Sequence, residues 1–200
     1  MEIEEIKFND KLSVYKTKYD WKYTKEQLIN KLDVNALMID LTDNNTTKVI
    51  INCDEFNSVR SQFLDVAVKL SNIENWNGDW LGKMWVYRQM KTAEIDTWHT
   101  HKFAIEVPDS KKQLPIPNEW SCCLYVQVPT DVRGDEGKIM FRDVDGNEFG
   151  ILPNEGDIIF FASDVEHRPI LTPNSNTERI TLCANISFKV PIIKSIKTIL

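Results

Sequence analysis

The chain lacks most of the usual marks of a metal or disulfide protein. It has four cysteines but no C-x-x-C pair: Cys122 and Cys123 are adjacent, and Cys53 and Cys183 stand alone. A thiolate zinc site therefore has no spacing to rest on, and the thiols read as reduced and mostly buried. Long apolar runs are missing too. The apolar runs are short, as in GDIIFFA and VPII, far below the roughly 20 residues that cross a bilayer, so no membrane partner is expected. There is no basic block: 24 Lys and Arg are spread among 30 Asp and Glu, for a net charge of −6. Nucleic acid is accordingly not expected as a direct ligand. The opening MEIEEIKFND is acidic and mixed, unlike a signal or transit peptide, and a cytoplasmic location is the expectation. Internal repeats and low-complexity segments are also absent.

What is present is a globular composition, 42% hydrophobic and 27% charged over 200 residues, enough for a single domain with a sizeable core. Its organisation changes along the chain. In the first part, KLSVYKTKY and TTKVIIN alternate like strands. Thr24 opens a helical pattern with Gln27 three residues on, the spacing of a capping box. From Ser58 to about Ile73, Val59, Phe63, Val66, Val68 and Leu70 recur at helical spacing. Beyond about residue 75 come short, β-branched and aromatic segments punctuated by Gly, Pro, Asn and Asp: GKMWVYRQM, EIDTWHTH, EWSCCLYVQVP, GKIMFRD, FGILP, GDIIFFAS, HRPIL and RITLCANISFKV. Such spacing predicts an antiparallel sandwich or barrel with one or two helices over a sheet face. The expected class is α+β, mainly β. Residues 1–75 would supply strands and supporting helices, 76–190 a jelly-roll core, and 191–200 a tail.

Three histidines are all the chain has, His99 and His101 in WHTHKF and His167 in DVEHRP. On an extended strand His99 and His101 face the same way, about 7 Å apart, while Trp98 and Thr100 face the other. A third imidazole from a distant strand would complete a three-point metal site with open positions, as iron(II) oxygenases require. An H-x-H pair by itself is a weak motif. On the last strand, Arg179, Thr181, Cys183, Asn185 and Ser187 share one face and Ile180, Leu182, Ala184, Ile186 and Phe188 the other. That pattern suits a barrel wall whose inside holds a polar ligand.

The stretch ILPNEGDIIFFASDVEHRPI followed by ERITLCANISF resembles the closing half of the iron(II)/2-oxoglutarate-dependent dioxygenases, and the resemblance extends over about residues 82–190. Pro153, Gly156 and Asp157 match the opening of that pattern, His167 its distal ligand, and Arg179-Ile180-Thr181 its Arg-x-Ser pair with Thr for Ser. SCCLYVQVP and EGKIMFRD resemble its tyrosine-bearing strand and the strand after it. The likeness is nearest to a small oxygenase group with prolyl-hydroxylase-like and phage-encoded members. It implies a double-stranded β-helix, a jelly-roll or cupin-like barrel, and a hydroxylase using Fe(II), 2-oxoglutarate and O2 on a small-molecule or peptidyl substrate. Arg179 and Thr181 would hold the far carboxylate, where a guanidinium fork suits bidentate pairing. Tyr125 and Asn185 would line the same pocket. The family's first motif is His-x-Asp or His-x-Glu, and His101 stands in the carboxylate's place. Three ligand sets then compete: His99, His101 and His167 together; His99 and His167 with water or a carboxylate from elsewhere (Glu94 and Asp96 lie upstream); or a degraded site that binds metal poorly. A non-catalytic cupin-like barrel would need no Arg179. A three-His oxygenase acting on thiols would need no 2-oxoglutarate. The proline-containing segment 102–119 fits a substrate lid or a solvated hairpin equally well.

Overall fold

The computed structural model describes residues 1–38, 46–50, 53–74, 80–81, 84–89, 97–101, 104–106, 113–115 and 120–188. The elements run β1 (Glu4–Lys7), β2 (Ser13–Lys18), α1 (Lys25–Asn35), β3 (Ala36–Met38), β4 (Thr46–Ile50), α2 (Asp54–Leu70), β5 (Trp80–Leu81) and β6 (Met84–Gln89). They continue with β7 (Ala104–Glu106), β8 (Gln113–Pro115), β9 (Trp120–Gln127), β10 (Ile139–Arg142), β11 (Glu148–Ile151), β12 (Asp157–Ala162), β13 (Glu166–Pro169) and β14 (Arg179–Phe188). A nine-stranded sheet has the order β1-β2-β12-β9-β14-β6-β4-β3, with β5 also on β14; β11-β10-β13 make a smaller sheet and β7-β8 a hairpin. All the pairings are antiparallel. Among the described residues the protein is mainly β with two helices, the class expected.

The helices form where the sequence asks for them. The Thr24 N–H donates to Gln27 Oε1 at 2.8 Å and the Gln27 N–H to Thr24 Oγ1 at 3.2 Å, a reciprocal cap that satisfies two otherwise orphaned donors of α1. Helix α2 begins earlier than its apolar spacing alone predicts, because Phe56 belongs to its buried stripe with Val59, Phe63, Val66 and Ala67. Asp54 and Glu55 in the first turn complement the helix dipole. The helix ends at Leu70, where Asn72 adopts a left-handed φ of 52°.

The large sheet is covered on both sides, which explains the unbroken apolar run of β12. Ile158 and Phe160 join Leu124, Leu182 and Ile186 beneath the helices, and Phe160 meets Phe63 edge-on at 6.0 Å. Ile159 and Phe161 face the other way, into a second cluster with Val14, Tyr125, Ile139 and Phe141 from the small sheet. Each fully buried side chain of this size contributes about 1.5–3 kcal/mol. The Gly156-Asp157 pair closes the turn into β12. Gly156 has φ +79°, and a Cβ there would come within 2.9 Å of Trp21 Nε1. The buried Asp157 carboxylate accepts the Asn154 N–H at 2.8 Å and pairs with Lys16 and Lys18 of β2. A dipeptide singled out by resemblance thus ties the N-terminal strands to the central sheet.

Candidate active site

The three histidines converge. Each offers one ring nitrogen, and these atoms lie within 4.8 Å of one another. The His99–His167, His101–His167 and His99–His101 ring centroids are 4.4, 4.9 and 5.0 Å apart. His167 stands on β13. The 97–101 segment docks beside it through paired backbone bonds, His99 N–H to His167 O at 3.1 Å and His167 N–H to His99 O at 3.0 Å. One further bond, His101 N–H to Ser163 O at 2.8 Å, fixes the second imidazole.

The side-chain bonds set the tautomers. His99 Nδ1 lies 2.9 Å from Thr97 O and His167 Nδ1 3.0 Å from Val165 O. A carbonyl only accepts, so both Nδ1 atoms carry the proton and both Nε2 atoms keep a free lone pair. This is the usual outer-shell arrangement of a metal-bound imidazole. Burial first, then the neighbouring imidazoles, push His167 down to about 3 and His101 to about 4. Both are therefore neutral at pH 7. Phe161 packs on the His167 ring at 4.4 Å and Trp85 on His101 at 5.5 Å, supplying the apolar surround. Among the described residues no carboxylate joins the cluster; Glu94 and Asp96 lie outside them.

Across from the histidines, where Trp85 meets His101, runs a ladder of cross-strand pairs on β6, β14 and β9. Tyr87 and Tyr125 flank Thr181, Trp85 and Cys123 flank Cys183, Ser121 opposes Asn185, and Gln89 opposes Arg179. A shift of register at Ile180/Thr181 interrupts the β9 pairing at this end. Arg179 is 2% exposed and crosses to the small sheet, donating from Nη1 to Gly137 O at 3.1 Å and Ile170 O at 3.4 Å. Its Nε, Thr181 Oγ1 and both amide atoms of Gln89 are buried without partners. Ser121 Oγ donates to Asn185 Oδ1 at 2.9 Å and lies 3.0 Å from Ser163 Oγ, linking this wall to the residue that holds His101. Burial holds the Tyr125 phenol well above its ordinary range, so it stays protonated. All four cysteines are free thiols, and Cys123 and Cys183 meet at 3.4 Å.

Sequence reasoning named His99, His101, His167, Arg179, Thr181, Tyr125 and Asn185; the three histidines come together, and the other four lie on β9 and β14, with Thr181 directly across from Tyr125. It did not name Gln89, Trp85 or Ser121. Alternation along MWVYRQ places Trp85, Tyr87 and Gln89 on one face, but nothing in those residue types alone points to a ligand. Trp98 lies on the outer side of the small sheet, with the Arg142 and Arg168 guanidiniums 4.0 and 4.7 Å from its ring centre.

Comparison with solved structures places this architecture. A prolyl-4-hydroxylase of Pseudomonas putida superposes with a TM-score of 0.61 at 13% identity, over 88% of this chain and 93% of the other. The chain has the fold of the 2-oxoglutarate/iron(II) oxygenases. The same oxygenase fold matches a viral collagen prolyl hydroxylase from Paramecium bursaria Chlorella virus-1, in complex with 2-oxoglutarate, at a TM-score of 0.54 and 14% identity over 86% and 96% of the two chains. HygX from Streptomyces hygroscopicus, with nickel, 2-oxoglutarate and hygromycin B bound, matches at 0.58 and 8% over 87% and 82%. No family model matches the sequence, and no curated protein matches it significantly.

Proposed function

We propose that this protein is an iron(II)- and 2-oxoglutarate-dependent oxygenase, a hydroxylase, with its two sheets forming a double-stranded β-helix in a single domain. The observation that carries the reading is the pairing of two features where the large sheet faces the small one. Three imidazoles gather on one side, and on the other a buried arginine and threonine have unpartnered polar atoms. An orphaned buried polar group costs about 1–3 kcal/mol unless something completes it, and an anionic ligand would complete these. Arg179 reaches Ile170, the residue just after β13 and three positions from His167, about 10 Å for extended chain.

His99, His101 and His167 would hold the metal, and among the described residues no carboxylate joins them. Bound iron(II) supplies the oxygen-activating chemistry, coupled to decarboxylation of 2-oxoglutarate. The chain's own part is placement. Thr97 and Val165 carbonyls hold the Nδ1 protons and fix the imidazole planes. Arg179 and Thr181 bind the far carboxylate of the co-substrate, with the Tyr125 hydroxyl and the Asn185 amide lining its path. Phe161 and Trp85 keep water from the ligand cluster. A small-molecule or peptidyl substrate fits the structural neighbours, a prolyl-4-hydroxylase and HygX with hygromycin B bound; the proposed location is the cytoplasm, and among the described residues no helix is long and apolar enough to cross a membrane. Residues 104–106 and 113–115 pair as a hairpin within the segment that would cover the substrate.

The test is oxygen uptake and succinate release by the iron(II)-loaded protein with and without 2-oxoglutarate. The reading expects both to require 2-oxoglutarate and to vanish in Arg179→Ala. Oxygen uptake that ignores 2-oxoglutarate would identify a three-His oxygenase of another kind. Metal binding with neither uptake nor 2-oxoglutarate binding would identify a non-catalytic barrel.

A further inference from the structure

Gln89 is fully buried, and neither its Nε2 nor its Oε1 has a hydrogen-bond partner. A primary amide carries two donors and a two-lone-pair acceptor, so few side chains are worse suited to an unsatisfied interior. Structural glutamines at such depth are satisfied by backbone or by neighbours. This one lies at the end of β6, directly across from Arg179, whose Nε is itself buried and unpartnered. Thr181, one ladder step along the same face, has an unpartnered Oγ1. Four orphaned atoms on three neighbouring side chains describe one incomplete polar pocket. Its composition is a fixed positive charge, a hydroxyl and an amide, with no acid.

We propose that Gln89 is a binding residue for the distal carboxylate of the co-substrate, acting beside Arg179 and Thr181. Its Nε2 donates to a carboxylate oxygen, and a small turn of the side chain brings Oε1 to accept the Arg179 Nε–H. Each orphaned atom then gains a partner, and Arg179 is held at the angle at which its remaining N–H groups face the anion. The amide also sets selectivity. A neutral donor next to a guanidinium accepts a carboxylate, whereas a ligand ending in an amide or methyl group would leave Gln89 and Arg179 unpaired. This rests on the oxygenase reading above, which does not itself require Gln89.

The experiment is calorimetric titration of 2-oxoglutarate into the manganese(II)-loaded protein without oxygen, for the wild type, Gln89→Met and Gln89→Glu. Methionine keeps the volume and removes the amide, and we expect it to weaken 2-oxoglutarate about tenfold or more. Glutamate would pair with Arg179 and repel the incoming carboxylate, and should weaken binding about a hundredfold. Manganese(II) affinity, read separately, should stay at the wild-type value in both variants, which also shows that the site still folds. Wild-type uptake with equal affinity in Gln89→Met and Gln89→Glu overturns this inference alone. No uptake by the wild type overturns the oxygenase reading, and the assignment of Gln89 with it.

Discussion

His99 and His167, far apart in the chain, are bonded to one another through both backbones, at 3.1 and 3.0 Å. That double bond is the isolated antiparallel bridge that joins the H-x-H segment to β13. It places two ligand side chains next to each other before any metal arrives. A segment held by so little ladder needs other support, and the first prediction concerns where that support comes from.

Trp98 precedes His99 and points to the opposite face, where Arg142 and Arg168 stack on its ring. Glu148 and Glu166 pair with these arginines at 2.8 to 3.7 Å and hold them in place. Stacked cations on an indole contribute about 0.5–2 kcal/mol each. Trp98→Ala should therefore lower metal affinity about tenfold, the usual scale for a lost supporting residue, while all three ligands remain. Trp98→Phe should recover part of the loss. Competition titration against a metal-sensitive dye reads the difference.

His101 occupies the place where the resembling family has a carboxylate. Three imidazoles leave a bound iron(II) with its full double charge, which favours an anionic co-substrate. In His101→Asp the metal should still bind, but 2-oxoglutarate affinity should fall by about tenfold, because one nearby negative charge now opposes its carboxylates. Calorimetry on the manganese(II)-loaded variant gives the number.

Acid should destabilise the apo protein through these same imidazoles. Burial holds His167 at about 3 and His101 at about 4 in the folded state, against about 6.5 in an unfolded chain. Between those values the unfolded chain binds more protons, so stability rises with pH. It is fully present above about pH 6.5 and is lost as pH falls towards 4 and then 3. Urea unfolding at pH 7 and pH 5 should give a lower midpoint at pH 5, and His167→Ala should shrink the gap.

The cap on α1 offers a check on the supporting fold. Thr24→Ala removes the acceptor for the Gln27 N–H and should cost about 1 kcal/mol. Thermal unfolding followed by circular dichroism would show it, with metal binding unchanged.

Much of this arrangement could be read from local pattern. The Thr24–Gln27 box, the alternation of RITLCANISF and the H-x-H spacing are all properties of consecutive residues, and each survives folding because the local preference agrees with its surroundings. What stayed hidden depended on partners. GKMWVYRQM reads as a strand, but Gln89 acquires meaning only when β6 lands beside β14 and puts it across from Arg179. The setting of Trp98 depends likewise on two arginines that come from β10 and β13. KLSVYKTKY reads as a strand, but nothing in it shows that β2 pairs with β12 and continues the main sheet. Strand neighbours are set by long-range packing, and no short window of sequence contains them. Glu94 and Asp96, offered as carboxylate ligands, and the tail from residue 191 lie outside the described residues.

One measurement bears most directly on the central claim. Iron(II) and then 2-oxoglutarate are added to the apo protein without oxygen, and the visible spectrum is followed for a metal-to-ligand charge-transfer band. A band in the wild type that disappears in His167→Ala, and fails to develop at the same 2-oxoglutarate concentration in Arg179→Ala, is the predicted result. No band in the wild type, with no 2-oxoglutarate binding by calorimetry, would contradict the oxygenase assignment.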